Sequence, residues 1–200
     1  MKNIDPKRYQ DAQDKTNRQS VNVAAIVRVT AFDPVKMTVD VQPLSKHLEG
    51  GVFQSQPQIL GVPISSTKSG GFLIRPWVNP DDIGLVVYID HDIDRAISEG
   101  KESEPNTERN HSTSDAVFIG GIVPGHAPAP GNLPSDAVVI STEDGNAYIA
   151  IKPGQIELVG NVSVSGGINA TGDVKAGNIS LQSHTHGGVE SGPGSTGRPQ

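Results

Sequence analysis

The chain contains no cysteine, which excludes disulfides and thiolate metal sites and fits a protein assembled in a cytosol. Aromatic residues are scarce: of the eight Phe, Trp and Tyr residues, only Tyr148 lies beyond Phe118. The first 120 residues can therefore build a conventional core, and the last 80 cannot. No run of basic residues interrupts a net charge of −6, so the clustered Lys and Arg that bind nucleic acid through counterion release are missing, and nucleic acid is not expected as a partner. No apolar run approaches the roughly 18 residues of a membrane-spanning helix. The opening Met1-Lys2-Asn3-Ile4-Asp5-Pro6 lacks the apolar stretch of a signal peptide, so any route out of the cell is expected to be as part of a larger particle. Apolar residues make up only 34%, while glycine (23) and proline (15) are enriched. That combination points to disorder or to a repetitive β-structure without a thick core.

Residues 1–20 are polar with mixed charge and read as a short helix or arm, with Pro6 suited to a first helical turn. From Val21 the pattern changes. Val21, Val23, Ala25, Val27 and Val29 alternate with their neighbours as one face of a β-strand. Asp33-Pro34 marks a turn, and Met37–Gln42 alternates again, completing a long hairpin. Residues 43–58 read as a loop. Ile59–Ile64 reads as a short strand, placed at a sheet edge by Pro63. A Ser69-Gly70-Gly71 turn precedes Phe72-Leu73-Ile74, Ile83–Ile89 is the most apolar strand, and Ala116–Val123 is the last. Asp92 is placed to cap a short helix reaching Ile97, and Glu99–Ser114 is a polar surface loop. Short strands with one small helix over residues 21–123 predict a small closed barrel, of which the OB-fold is the commonest design. Residues 124–134 hold four prolines and form a stiff linker.

Beyond the linker lies a repeat. Ile156, Val162, Ile168 and Val174 are spaced by six, and Leu158, Val164, Ala170 and Ala176 follow each by two. Gly160, Gly166 and Gly172 hold the fifth place of three hexads, and Asn178 holds it in the fourth. Two apolar residues at spacing two share one strand face, and Gly or Asn then supplies a corner. The second apolar place shrinks from Leu and Val to Ala, as a narrowing cross-section requires. A single-chain β-helix uses about three hexads per coil, so four would make barely more than one coil. Three chains supplying one face each would make four complete layers, and the apolar side chains have no other second layer. Residues 135–181 are therefore expected to form an intertwined homotrimeric β-helix, with Ala147, Ile149 and Ile151 on broader strands of the same shaft.

Ser183-His184-Thr185-His186-Gly187-Gly188 follows the hexads. In an extended strand His184 and His186 point the same way, and in a trimer six imidazoles would meet on one axis. Six neutral nitrogens favour an octahedral ion such as Fe(II), Ni(II) or Co(II), whereas structural zinc takes four ligands. An isolated His-x-His is as a rule two solvated side chains, so the weight of this pair comes from the repeat before it. Asp90, His91, Asp92 and Asp94 form a polar cluster read as helix capping and surface. Neither a nucleophile elbow nor a Gly-rich phosphate loop is present, and the chain is not expected to be an enzyme.

These residues resemble the membrane-puncturing central spike proteins of contractile-tailed phage baseplates, related to baseplate assembly protein V. Met37–Pro43, Ile59–Pro63 and Asp81–Val87 look like the family's N-terminal OB domain. His184-Thr185-His186-Gly187-Gly188-Val189, followed by Gly192, Gly194 and Gly197, looks like its apex. The resemblance implies an all-β homotrimer: an OB-fold collar on the baseplate hub and tail tube, a trimeric β-helix shaft, and an apex over 182–200. It implies one iron held by His184 and His186 of each chain, another transition metal being possible. His47, His91, His111 and His126 have no such support and read as ordinary loop histidines. It also implies a place at the baseplate tip of a virion assembled in the host cytoplasm, with the host envelope as mechanical target. The rivals are a trimeric receptor-binding fibre or adhesin, whose tip would need aromatics that this one lacks, and the spike of a contractile injector other than a phage. A lysozyme-bearing hub is a third, for which the chain has no room.

Overall fold

The structure, a computed structural model, describes residues 21–185 and, outside that run, Lys7, Gln10, Asp11, Gly188 and Gly192. Lys7, Gln10 and Asp11 are helical; the rest of the expected N-terminal arm, and His186 with most of the expected apex, lie outside the described residues. The chain forms two compact units divided between Ala129 and Pro130. The all-β expectation holds, with α1 (Asp94–Glu99) and a 3-10 turn (Thr113–Asp115) as the helical elements of the described run from residue 21.

In the first unit, β1 (Ala24–Asp33), β2 (Thr38–Pro43), β5 (Ile59–Pro63), β8 (Ile83–Tyr88) and β9 (Ala116–Gly121) form one antiparallel sheet in the order β5-β2-β1-β8-β9. Alternation places Val27, Val29, Val39, Val41 and Val86 inward, all essentially inaccessible to water. The β1–β2 turn forms where Asp-Pro predicts it, since Asp33 Oδ1 accepts the Val35 and Lys36 amides at 2.9 and 3.0 Å. The sheet curls until the chain just past β5 meets β9: Ile64 bridges Phe118 in parallel, and the Ser65 amide donates to the Phe118 carbonyl at 2.8 Å. Phe118 lies over Gly84, where a Cβ would overlap its ring and come within 2.6 Å of the Gly120 carbonyl oxygen. Gly84 is thus the gap in β8 that Phe118 fills.

Two small hairpins extend from the curled sheet. One joins β3 (His47–Glu49) to β4 (Val52–Gln54), and the other joins β6 (Thr67–Ser69) to β7 (Phe72–Ile74). The first corrects the expectation of a loop over 43–58. Gly50 and Gly51 have φ of 58° and 84°, as a two-residue hairpin turn of the type favoured by strand twist demands.

The second unit contains a three-stranded antiparallel sheet, β10 (Val138–Ser141), β11 (Tyr148–Lys152) and β12 (Gln155–Val159). A short hairpin of β13 (Lys175–Ala176) and β14 (Ile179–Ser180) follows. Between them the chain has no strand, but bends at Gly160, Ser165–Gly166 and Thr171–Gly172, then turns at Gly177–Asn178. Corners therefore recur every six residues, as the hexads predict. Gly160, at φ 113°, adopts a backbone that other residues avoid. Strands are missing from 161–173 because a strand needs a hydrogen-bonding edge, and one chain folded this way offers none there.

Candidate functional site

Cross-strand neighbours in a sheet share a face. Val138, Ile151 and Ile156 form one row across β10, β11 and β12, and Ile140, Ile149 and Leu158 form the next. All six large aliphatic side chains are exposed. The opposite face carries the Ala150 and Tyr148 side of β11, where Lys152 pairs with Glu157 at 3.1 Å and the Tyr148 hydroxyl bonds Glu157 at 3.2 Å. Those contacts, Lys152 first, hold the Glu157 carboxyl below its ordinary range, and the bond to Glu157 raises the Lys152 ammonium. The polar face is thus satisfied within one chain, while the apolar face is bare. Val162, Val164, Ile168 and Val174 continue this exposure through the hexads.

At the end of the hexads the chain does not continue as an extended strand. β14 stops at Ser180, and Leu181–Ser183 form a turn closed by the His184 amide on the Ser180 carbonyl at 3.1 Å. His184 therefore follows directly on a turn, and the expected extended run from His184 to His186 reaches outside the described residues. The same carbonyl accepts from His184 Nδ1 at 2.8 Å. An imidazole that donates through Nδ1 keeps its lone pair on Nε2, which is the form a metal ligand requires. His184 is exposed, and His186 lies outside the described residues. Ser180 and Asp173 complete the turn: the Ser180 hydroxyl donates to Asp173 Oδ1 at 2.9 Å, and Ser180 Oγ accepts the Ser183 amide at 3.0 Å. Neither residue stood out in the sequence, although Ser three residues ahead of a backbone donor is a known capping signal.

The other histidines sit elsewhere. His47 lies in β3, 3.3 Å from Glu49. His91 Nδ1 is 2.7 Å from Asn110 Oδ1. His111 Nδ1 is 3.6 Å from Asp90, and His126 is exposed.

The acidic cluster next to α1 differs from its sequence reading. Asp92 accepts the Asp94 amide at 3.0 Å, but the cap position of the helix falls on Ile93, with no side-chain cap bond. However, Asp92 and Asp115 are buried, and Arg109, from the loop read as surface, enters between them. Its Nε donates to Asp115 at 2.6 Å, and its terminal nitrogen lies 2.9–3.1 Å from Asp115, Asp94 and Asp92. Burial pushes the Asp92 carboxyl up, but the Asp94 amide, the Thr107 hydroxyl and Arg109 outweigh it and hold it below the ordinary value. The bonds to Asp115 and Asp94 raise the Arg109 guanidinium further still. Three carboxylates close enough to share a cation are already sharing the guanidinium, so this cluster fastens the 99–115 loop to the curled sheet.

Comparison with known proteins yields two family matches and no match among curated proteins. Residues 26–121 match the phage protein Gp138 N-terminal domain, and residues 178–200 match the GpV Apex motif. The first match spans the curled sheet from β1 to β9; the second begins at Asn178, just before β14, and includes His184 and His186. Both matches in one chain, in this order, support a phage baseplate spike protein of the gpV type.

Proposed function

We propose that the protein is the central spike of a contractile tail, a homotrimer that pierces the host envelope when the sheath contracts. The observation that carries this reading is the bare face of β10–β12. Six aliphatic side chains on one face of a sheet need a second apolar layer, and another copy of the same face supplies it without further components. The hexads extend the argument: along the corners that recur every six residues, Val162, Val164 and Ile168 stay exposed in the single chain. Intertwining three chains gives each segment a hydrogen-bonding edge and an apolar neighbour together.

The strand order of the curled sheet and its parallel bridge between Ile64 and Phe118 support reading the first unit as an OB-fold. In this reading it forms the collar on the baseplate hub and tail tube. The shaft transmits axial force to a small apex, and no catalytic step is involved. At the apex, His184 and His186 of each chain would hold a transition metal, iron being the expected ion. The Nδ1 bond of His184 fits that role, because it leaves Nε2 as the donor. The ion supplies a crosslink where the side chains of the hexads have become too small to hold three chains together.

Light scattering on the purified chain tests the reading: the expected mass is that of three 21.0 kDa chains, and a monomer refutes it. Elemental analysis should find about one transition metal per trimer, lost in His184→Ala/His186→Ala; equal metal in that double variant refutes the assignment of the ligands.

A further inference from the structure

His111, near the end of the 99–115 loop, adopts φ 47°. A residue with a side chain holds that backbone only where its surroundings impose it. Here three contacts do so. The His111 amide donates to the Asp90 carbonyl at 3.2 Å, and the His111 carbonyl accepts Nδ2 of Asn22 at 2.9 Å. The preceding residue, Asn110, bridges His91 as an antiparallel pair. His111 thereby ties together the residues ahead of β1, those after β8 and the end of the loop. The same backbone aims its ring. Nδ1 is buried and has no hydrogen-bond partner, while Asp90 Oδ1 lies 3.6 Å away, just beyond bonding distance. In a neutral imidazole, Nδ1 is either a donor without an acceptor or a lone pair without a donor, and both are unfavourable when buried. A second proton turns Nδ1 into a charged donor facing a carboxylate, and a movement of a few tenths of an ångström closes the bond.

The other titratable groups of these segments are committed elsewhere. Across the bridge, His91 Nδ1 is 2.7 Å from Asn110 Oδ1. Asp92, Asp94 and Asp115 share the Arg109 guanidinium. Among the described residues, Asp90 has His111 as its ionic partner and no other. We propose that His111 and Asp90 form a proton-operated latch on the end of the 99–115 loop, closed when His111 is protonated and open when it is neutral. The closed form binds one more proton, so its stabilisation is present below the ordinary imidazole range, roughly pH 6.5, and is lost as the pH rises through it. The Arg109 clamp on the same loop has the opposite sign, because it needs the Asp92 carboxylate ionised. The loop is thus fastened at both points in mildly acid solution, and above neutrality Arg109 holds it without the latch. The latch lies wholly within the first unit and depends on neither the trimer nor the metal.

The test is backbone deuterium exchange on the full chain, read by mass spectrometry over peptides from residues 100–114 and corrected for the intrinsic effect of pH. The wild-type loop should be roughly threefold better protected at about pH 5.5 than at about pH 8, the scale of an ion pair whose carboxylate is largely exposed. Salt at about 1 M should shrink the difference. His111→Asn, which suits a positive φ and carries a donor that does not titrate, should abolish the pH dependence, and so should Asp90→Asn. His91→Asn should keep it. Equal protection of the wild-type loop at the two pH values overturns the inference, as does a wild-type pH dependence in either latch variant. Loss of the dependence in His91→Asn assigns the effect to His91 and overturns it too. Should His111→Asn fail to fold, Asp90→Asn, at an exposed position, decides alone.

Discussion

Substituting aspartate for Ile149 should dissolve the trimer while leaving the first unit folded. Ile149 lies at the centre of the bare face, opposite Ile140 on one side and Leu158 on the other. In a single chain it keeps 43% of its accessible surface, and its neighbour Ile151 keeps 52%. Burying a whole isoleucine is worth roughly 2 kcal/mol, so covering the remaining half of Ile149 is worth roughly 1 kcal/mol per chain. Aspartate forfeits that and adds the desolvation of an unpaired carboxylate, several kcal/mol more. By symmetry every chain in the trimer carries the penalty, which brings the total to about 10 kcal/mol. At about 1.4 kcal/mol per factor of ten, association weakens by roughly seven orders of magnitude. Light scattering at micromolar concentration should therefore report a single-chain mass, while circular dichroism still shows the β-structure of the first unit. Two controls locate the effect. Ile149→Val, which removes one methylene worth about 0.8 kcal/mol per chain, should remain trimeric. So should Gln155→Glu on the opposite face, beside Lys152. A trimer that survives Ile149→Asp would show that this face is not what holds the copies together.

Three further outcomes are expected. Gly84→Ala should destabilise the first unit by about 1–3 kcal/mol through overpacking, and a double variant with Phe118→Leu should recover part of that loss; strict additivity in chemical denaturation would refute the Phe118 contact as its cause. Acidification should weaken the anchoring of the 99–115 loop: Asp92 titrates below its ordinary 3.8 in the folded chain, so its contribution is complete above about pH 4 and is lost as the pH falls through the lower folded value. Asp92→Asn should flatten that acid limb in a thermal-melt series, and an unchanged limb counts against the cluster. A chelator should lower the thermal midpoint of the wild-type trimer but not of His184→Ala, and equal shifts in both would show that the metal it removes is held elsewhere.

What the sequence makes legible here is what depends on local periodicity. The strand alternation at Val27, Val29, Val39 and Val41 and the corners at Gly160, Gly166, Gly172 and Asn178 are properties of a few neighbouring residues, and the structure reproduces both. The β3–β4 hairpin was not legible, because three-residue strands are too short to display a period, and only Gly50-Gly51 marked the turn. The burial of Arg109, within the expected surface loop, was not legible for a different reason. A charged residue declares its burial only through its partners, and Asp92, at 17 positions from Arg109 in the chain, reaches it only through the tertiary fold. The tip shows local forces in competition: the strand period of the hexads reaches Ser180, where a hydroxyl able to cap backbone amides ends it and starts a turn.

That competition bears on how a spike of this design would assemble. Residues 161–172 pair with no strand of their own chain, so in the proposed trimer their strand partners would come from the other two copies. The turn from Ser180 to His184 is held by bonds inside its own chain. If the proposed metal bridges three copies, metal capture and shaft formation are separable steps: one chain would present His184 but lack the ligands of the other two, so the ion would bind tightly only once the shaft has aligned them. On this account, isolated subunits of Ile149→Asp should bind nickel weakly and with simple 1:1 behaviour, whereas the wild-type trimer should bind one ion per three chains far more tightly. Equal affinity per chain in the two proteins would mean that the site is complete in a single subunit and that the metal does not bridge the copies.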